Sequence, residues 1–128
     1  MFSLDFEVRD YECDIQGIVN NANYQNYLEH ARHKFFHSKG VDFVALAQAK
    51  VYLVVSKAEL DYRASLKPGD LFTVNVTCKR EGRLKFVFHQ EIIRQSDEKT
   101  CLVAQITGVA TNSQGRPIVA SALDTFCE

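Results

Sequence analysis

"NNANYQNYLEHARHKFF", residues 20–36, is the stretch whose reading decides the fold. Tyr24, Tyr27, Leu28, Ala31 and Phe35 stand at i, i+3, i+4, i+7 and i+11, which is one face of an α-helix. A helix is predicted from about Ala22 to Gly40, a residue suited to ending it. Before it, Leu4, Phe6 and Val8 alternate with polar neighbours in "SLDFEVRDYE", the pattern of a half-buried strand. A polar loop from Asp14 to about Asn21 joins the two.

Beyond the helix, "DFVALAQAK" suits a second, short helix, and from Val51 the chain turns to strands. "VYLVVSKAELDYRASL", "LFTVNVTCKR", "LKFVFHQEIIRQ" and "TCLVAQITGVAT" are rich in β-branched and aromatic residues. "KPGD" has the Pro-Gly centre of a type II turn, and "EGR" is a hairpin connection with Gly82 suited to positive φ. "SDEK" and "NSQGRP" are further turns, and "VASALDTFCE" suits a short terminal helix. Turns this tight demand antiparallel neighbours, because parallel strands need long crossovers. The expected class is therefore α+β: one antiparallel sheet wrapped on the apolar face of one long helix.

With 128 residues the chain is expected to form one domain over residues 1–128, large enough to bury roughly two-thirds of its unfolded surface. A hydrophobic content of 46% with 24% charged residues belongs to a soluble globular protein. The formal net charge of −1 gives no reason to expect nucleic acid or an anionic membrane as partner. No apolar run approaches the ~20 residues of a membrane span. The first residues lack the basic-then-apolar pattern of a signal peptide, so the cytoplasm is the expected compartment. Cys13, Cys78, Cys101 and Cys127 form no CxxC pair and have no histidines at zinc-ligand spacing. In that compartment they read as reduced and structural.

The loop ahead of the helix holds more polar groups than a cap needs, since one Asn or Asp suffices. Asp14, Asn20, Asn21 and Asn23 all fall within ten residues. On the plain reading, Asp14, Asn20 or Asn21 caps the helix and turns the loop. On the functional reading, Asp14 lies beside a helix N-terminus whose free N–H groups can hold an oxyanion. An aspartate there acts as nucleophile or as general base on water, and Gly17 lets the backbone approach a ligand.

"DIQGIVNNANYQNYLEHAR" resembles the active-site segment of the hotdog-fold thioesterases, in the 4-hydroxybenzoyl-CoA thioesterase and acyl-CoA thioester hydrolase group. The likeness rests on Asp14, Gly17, the apolar pair Ile18 and Val19, Asn23 with Tyr24, and Glu29 with Ala31 and Arg32. It implies a hotdog fold, a homodimer or homotetramer with sites between subunits, and hydrolysis of acyl-CoA or of an acyl carrier protein thioester. No metal and no cofactor is implied. Asp14 matches the catalytic carboxylate, and the Asn21 backbone N–H would polarise the thioester carbonyl. Gly17, Ile18, Val19 and Tyr24 would line the substrate. Some relatives carry a histidine where this chain has Asn21, and others carry Asn and His where it has Gln16 and Ile18. Asp14 is thus left without a histidine partner.

Glu29 is the alternative carboxylate, because some hotdog thioesterases use a helix glutamate. His30, His33 and His37 form a stripe at helical spacing, but His30 lies well round from Leu28, which suits a solvated or subunit-contacting face. His89 alternates within a strand and reads as structural. Lys79, Arg80, Arg83 and Lys85 gather at one hairpin; such a turn is either simply solvated or, as in related thioesterases, a site for coenzyme A phosphates, with Arg83 the best single choice. Two other functions remain open. An acyl-thioester dehydratase or hydratase would want a His with the carboxylate, and the segment has none before His30. A non-catalytic thioester-binding protein would have no need of Asp14 with Gly17.

Overall fold

In the computed structural model, which describes residues 1–120, 123 and 127, the elements are β1 (Phe2–Glu7), α1 (Asn21–Ser38), α2 (Phe43–Gln48), β2 (Tyr52–Tyr62), β3 (Leu71–Glu81), β4 (Lys85–Arg94) and β5 (Thr100–Thr111). The five strands form one antiparallel sheet in the order β1-β3-β4-β5-β2, with α1 lying along its inner face. This is the α+β arrangement that the periodicities predict, and the hotdog fold that the family resemblance implies.

The helical face is buried as its spacing requires: Tyr24, Tyr27, Leu28, Ala31 and Phe35 are all in the core, joined by Phe36. They meet inward residues of the sheet. Tyr27 packs on Phe72 at 4.8 Å between ring centroids, and Phe36 meets Phe88 edge-on at 5.4 Å. Phe6 of β1 stacks on Phe72 at 5.0 Å. Leu28, fully buried, anchors the middle of the helix, where truncation to Ala typically costs about 2–5 kcal/mol. Gln90 is buried among these apolar groups, and its carboxamide is satisfied at both ends: Nε2 donates to the Leu28 carbonyl at 3.0 Å, and Oε1 accepts from Arg32 Nη1 at 2.9 Å.

The turns form largely where expected. Asp70 N–H donates to the Lys67 carbonyl at 3.0 Å across Pro68 and Gly69, with Gly69 at φ 82°, as a type II turn requires. The "EGR" hairpin links β3 to β4, and Gly82 takes φ 67°.

Two expectations need correction. Tight turns throughout would make β2 the neighbour of β3, yet β2 pairs with β5, and β3 has β1 and β4 on its two sides. The strand stops at Tyr62. Residues 63–66 then leave the sheet edge, with the Arg63 and Ala64 N–H groups on the Cys101 carbonyl and Leu66 buried beneath the start of α1. The "KPGD" turn therefore follows a crossing and is no hairpin tip. The cysteines are the second correction. Cys13 and Cys101 are free, but Cys78 and Cys127 are joined as a disulfide, with Cα atoms 4.8 Å apart. That separation is within disulfide range, and a spacing of 49 residues gives no sequence sign of it. The expected terminal helix falls mostly outside the described residues.

Candidate active site

The polar loop is a tight reversal. Cys13 and Val19 form an isolated antiparallel bridge, and the Asp14 N–H donates to the Ile18 carbonyl at 2.9 Å. Inside it, the Gly17 N–H reaches the Asp14 carbonyl at 3.0 Å, with Gly17 at φ 77°. A Cβ on Gly17 would meet nothing within 4 Å, so the glycine serves the left-handed backbone and not a close approach within the chain. Asp14 is half-buried. Its Oδ1 accepts the Gln16 N–H at 2.8 Å, and Oδ2 has no hydrogen bond among the described residues. The bridge returns the chain to α1 directly, so the Asp14 turn adjoins the entrance of the helix.

Each asparagine has a separate task. Asn20 is the cap: Oδ1 accepts the Ala22 N–H at 2.9 Å and its carbonyl accepts the Asn23 N–H. Asn23 reaches backwards, and Nδ2 donates to the Glu12 carbonyl at 2.6 Å. That carbonyl also accepts the Asn20 N–H at 3.1 Å. Asn21 is exposed, and its N–H has no acceptor among the described residues. The helix therefore begins with one open donor next to the Asp14 turn, where the macrodipole is positive.

The clamp on Glu12 extends into its side chain. Oε1 accepts the Arg9 N–H at 2.7 Å and the Tyr27 hydroxyl at 2.9 Å. Burial and this carboxylate push the Tyr27 phenol well above its usual range, so it stays neutral and serves as a donor. Tyr24 is also neutral, raised mainly by burial, and its hydroxyl accepts the Leu66 N–H at 3.0 Å. The Cys13 thiol is pushed up by desolvation and by the acids Asp10, Glu12 and Asp14, which keeps it from being a ready thiolate.

The other expected residues separate. Ile18 is half-buried, whereas Val19 and Tyr24 are in the core and support the loop from beneath. Glu29 lies two turns along α1, exposed, with Oε1 at 3.8 Å from His33 Nε2. His30 leans edge-on against Phe6 and His33 against Phe43. Arg83 is exposed at the β3–β4 hairpin, its carbonyl accepting Arg80 Nη2 at 2.7 Å. Within one chain it is far from Asp14. The Asp14 loop follows β1, whose last residue Glu7 pairs with Leu71 at the start of β3, and the hairpin lies at the other end of that strand, roughly 30 Å away. Glu12 and Tyr62, whose hydroxyl donates to the Asn21 carbonyl at 3.3 Å, escape the sequence reading, and Asn23 enters it without a structural task. Asn23 stands at the third helical position, where a side chain can reach back toward the cap, and here it reaches past the cap to the Glu12 carbonyl.

Comparison with known proteins agrees with this fold. The profile of the thioesterase-like superfamily matches residues 8–124. The chain belongs to that superfamily. Among sequence relatives, it is 30% identical over 115 residues to a chloroplastic acyl-acyl carrier protein thioesterase of Arabidopsis thaliana, covering 90% of this chain and 60% of that one. The chain thus spans about three-fifths of that relative's length. Among solved structures, a 1,4-dihydroxy-2-naphthoyl-CoA thioesterase from Synechocystis superposes with a TM-score of 0.91 at 18% identity, covering 98% of this chain and 93% of that one. A Staphylococcus aureus protein solved with CoA superposes with a TM-score of 0.89 at 16% identity, covering 98% and 80%. At those identities the superpositions establish the fold, and the superfamily resemblance adds the reaction class as an expectation. No helix among the described residues is long and apolar enough to cross a membrane.

Proposed function

We propose that the protein hydrolyses acyl-CoA thioesters, with Asp14 as the catalytic carboxylate and the Asn21 N–H as the oxyanion donor. The observation that carries this reading is the pairing of an under-bonded Asp14 carboxylate with an open N–H at the start of α1. Water attacks the thioester carbonyl carbon and gives its proton to Asp14. The oxygen that gains charge is held by the Asn21 N–H and the helix dipole. Collapse of the tetrahedral intermediate breaks the C–S bond, and the leaving thiolate takes the proton back from Asp14. Carboxylic acid and free CoA are released. CoA is favoured over acyl carrier protein by the basic hairpin, although the Arabidopsis relative named above carries the carrier-protein activity in its name.

The working unit in this reading is a dimer joined along β2. That strand is the long edge of the sheet, and it exposes Tyr52, Val54, Val55 and Tyr62. Antiparallel pairing of two β2 edges brings one chain's hairpin to the same end as its partner's Asp14. Arg83 would then hold phosphates for the neighbouring site. Hydrolysis of a panel of acyl-CoA and acyl carrier protein thioesters, read as free thiol, tests the activity. Asp14→Asn should lower kcat at least about 100-fold, the scale of one general base. Near-normal turnover by the folded variant would move the role to Glu29.

A further inference from the structure

Between α1 and the β2 side of the sheet is a cavity of about 390 Å³, within the size range of ligand pockets. Its apolar walls include Phe36, Leu53, Phe88 and Ile106, and Glu29, His33 and Arg32 also line it. Arg32 is the anomaly. It is half-buried, and burial lowers its pKa, with Glu29 acting in the other direction. A guanidinium nevertheless keeps its charge in proteins. Nη1 donates to Gln90 Oε1, and Arg32 has no ion-pair partner among the described residues. One neutral acceptor uses one of five donors. A neutral donor would satisfy Gln90 equally well, and because Arg32 lines the cavity, the donors that Gln90 does not use are open to a group placed there.

The position is also informative. Gln90 ties the guanidinium to the level of the Leu28 carbonyl, about 10 Å along the helix axis from Asn21 at ~1.5 Å per residue. Resting on the thioesterase reading above, we propose that Arg32 is a specificity-determining residue: it selects acyl groups with an apolar body and an acceptor oxygen remote from the thioester. A hydroxyl, oxo or carboxylate oxygen meets the donors. An unsubstituted chain desolvates them without replacement, and sites built around buried polar groups discriminate strongly against such analogues.

The test compares decanoyl-CoA with its ω-hydroxy and ω-carboxy counterparts, in two measurements. One is kcat/KM; the other is Kd for non-hydrolysable thioether analogues by calorimetry. The parent protein should favour the oxygenated chains roughly 10- to 100-fold, the carboxylate most, as hydrogen bonds to charged groups do. Arg32→Met should erase that preference, and Arg32→Lys should keep part of it for the carboxylate alone. Should Arg32→Met fail to fold because Gln90 is left unpaired, Arg32→Met with Gln90→Met removes both partners together. No preference in the parent, or a preference that survives Arg32→Met, overturns the assignment. Arg32-dependent binding without hydrolysis would uphold it and sink the thioesterase reading, whereas hydrolysis without preference would do the reverse. Failure of every analogue to bind overturns the assignment, and the panel of thioesters read as free thiol decides the thioesterase reading separately.

Discussion

The two edges of the sheet follow opposite rules. β1 has six residues, and Ser3, Asp5 and Glu7 face solvent while Phe2, Leu4 and Phe6 face the core. Charged outward groups discourage further pairing at an edge. β2 has eleven residues and exposes Tyr52, Val54, Val55 and Tyr62. The β1 edge leads into the Asp14 loop, and the β2 edge ends with Tyr62 on the carbonyl of Asn21. One edge thus closes the site within the chain. In the proposed dimer, the other edge takes a second copy beside the same site.

A charge placed on each edge should break this contrast in the most visible way. Val55→Lys lies beside the strand's register shift and would appear twice across a two-fold interface. Like charges facing each other cost several kcal/mol, so dimer Kd should weaken more than about 100-fold and activity should fall with it. Ser3→Lys on β1 should leave mass and turnover alone. Light scattering with an activity assay reads both, and an active Val55→Lys monomer would refute the shared site.

Arg83 sharpens the comparison. Arg83→Ala should raise KM roughly 10- to 100-fold for CoA thioesters with kcat nearly unchanged, because phosphate contacts act on ground and transition states alike. Mixing Asp14→Asn chains with Arg83→Ala chains decides whose site it serves. If Arg83 acts across the interface, the mixed dimer has one intact site and regains turnover at the parent's KM. If it acts within its own chain, the mixture stays impaired.

A smaller effect belongs to the β1 side. Asn23→Ala removes one clamp on Glu12 while the Asn20 N–H keeps the carbonyl paired, so stability should fall by about 1 kcal/mol in urea titration. A loosened Asp14 loop should show as a fall in kcat with KM held. The smallest effect lies at the β4–β5 turn, away from both edges. Arg94 holds the Asp97 carboxyl at about 2 through a paired hydrogen bond. Because that value is depressed, the turn's contribution is full above the ordinary carboxylate range and is lost as pH falls toward 2. Asp97→Asn should therefore flatten the acid limb of the stability profile slightly and leave neutral pH nearly unaffected.

The helix, its buried face and most turns were legible because each depends on local spacing: Tyr24 to Phe35 on one stripe, Pro68-Gly69 in one turn. The partner of β2 was not, because the chain leaves the edge over residues 63–66 and the reason is the distant buried seat of Leu66. At the candidate site the sequence offers Asp14 and the helix start, and the structure supplies their open bonding positions. The Glu12 clamp and the Arg32–Gln90 bond join residues 11 and 58 positions apart, a separation that no periodicity reports. The Cys78–Cys127 bond is hidden for the same reason.

Leu66 has a consequence for the order of folding. Its carbonyl accepts the Val19 N–H at 2.9 Å, its N–H rests on Tyr24, and its side chain is fully buried. The residue that routes the chain from one side of the sheet to the other also seats the loop that carries Asp14. Contacts between residues so far apart in sequence are slow to form. The loop that carries Asp14 is therefore tied to the crossing: until residues 63–66 are seated, the Val19 N–H and the Tyr24 hydroxyl lack their Leu66 partners.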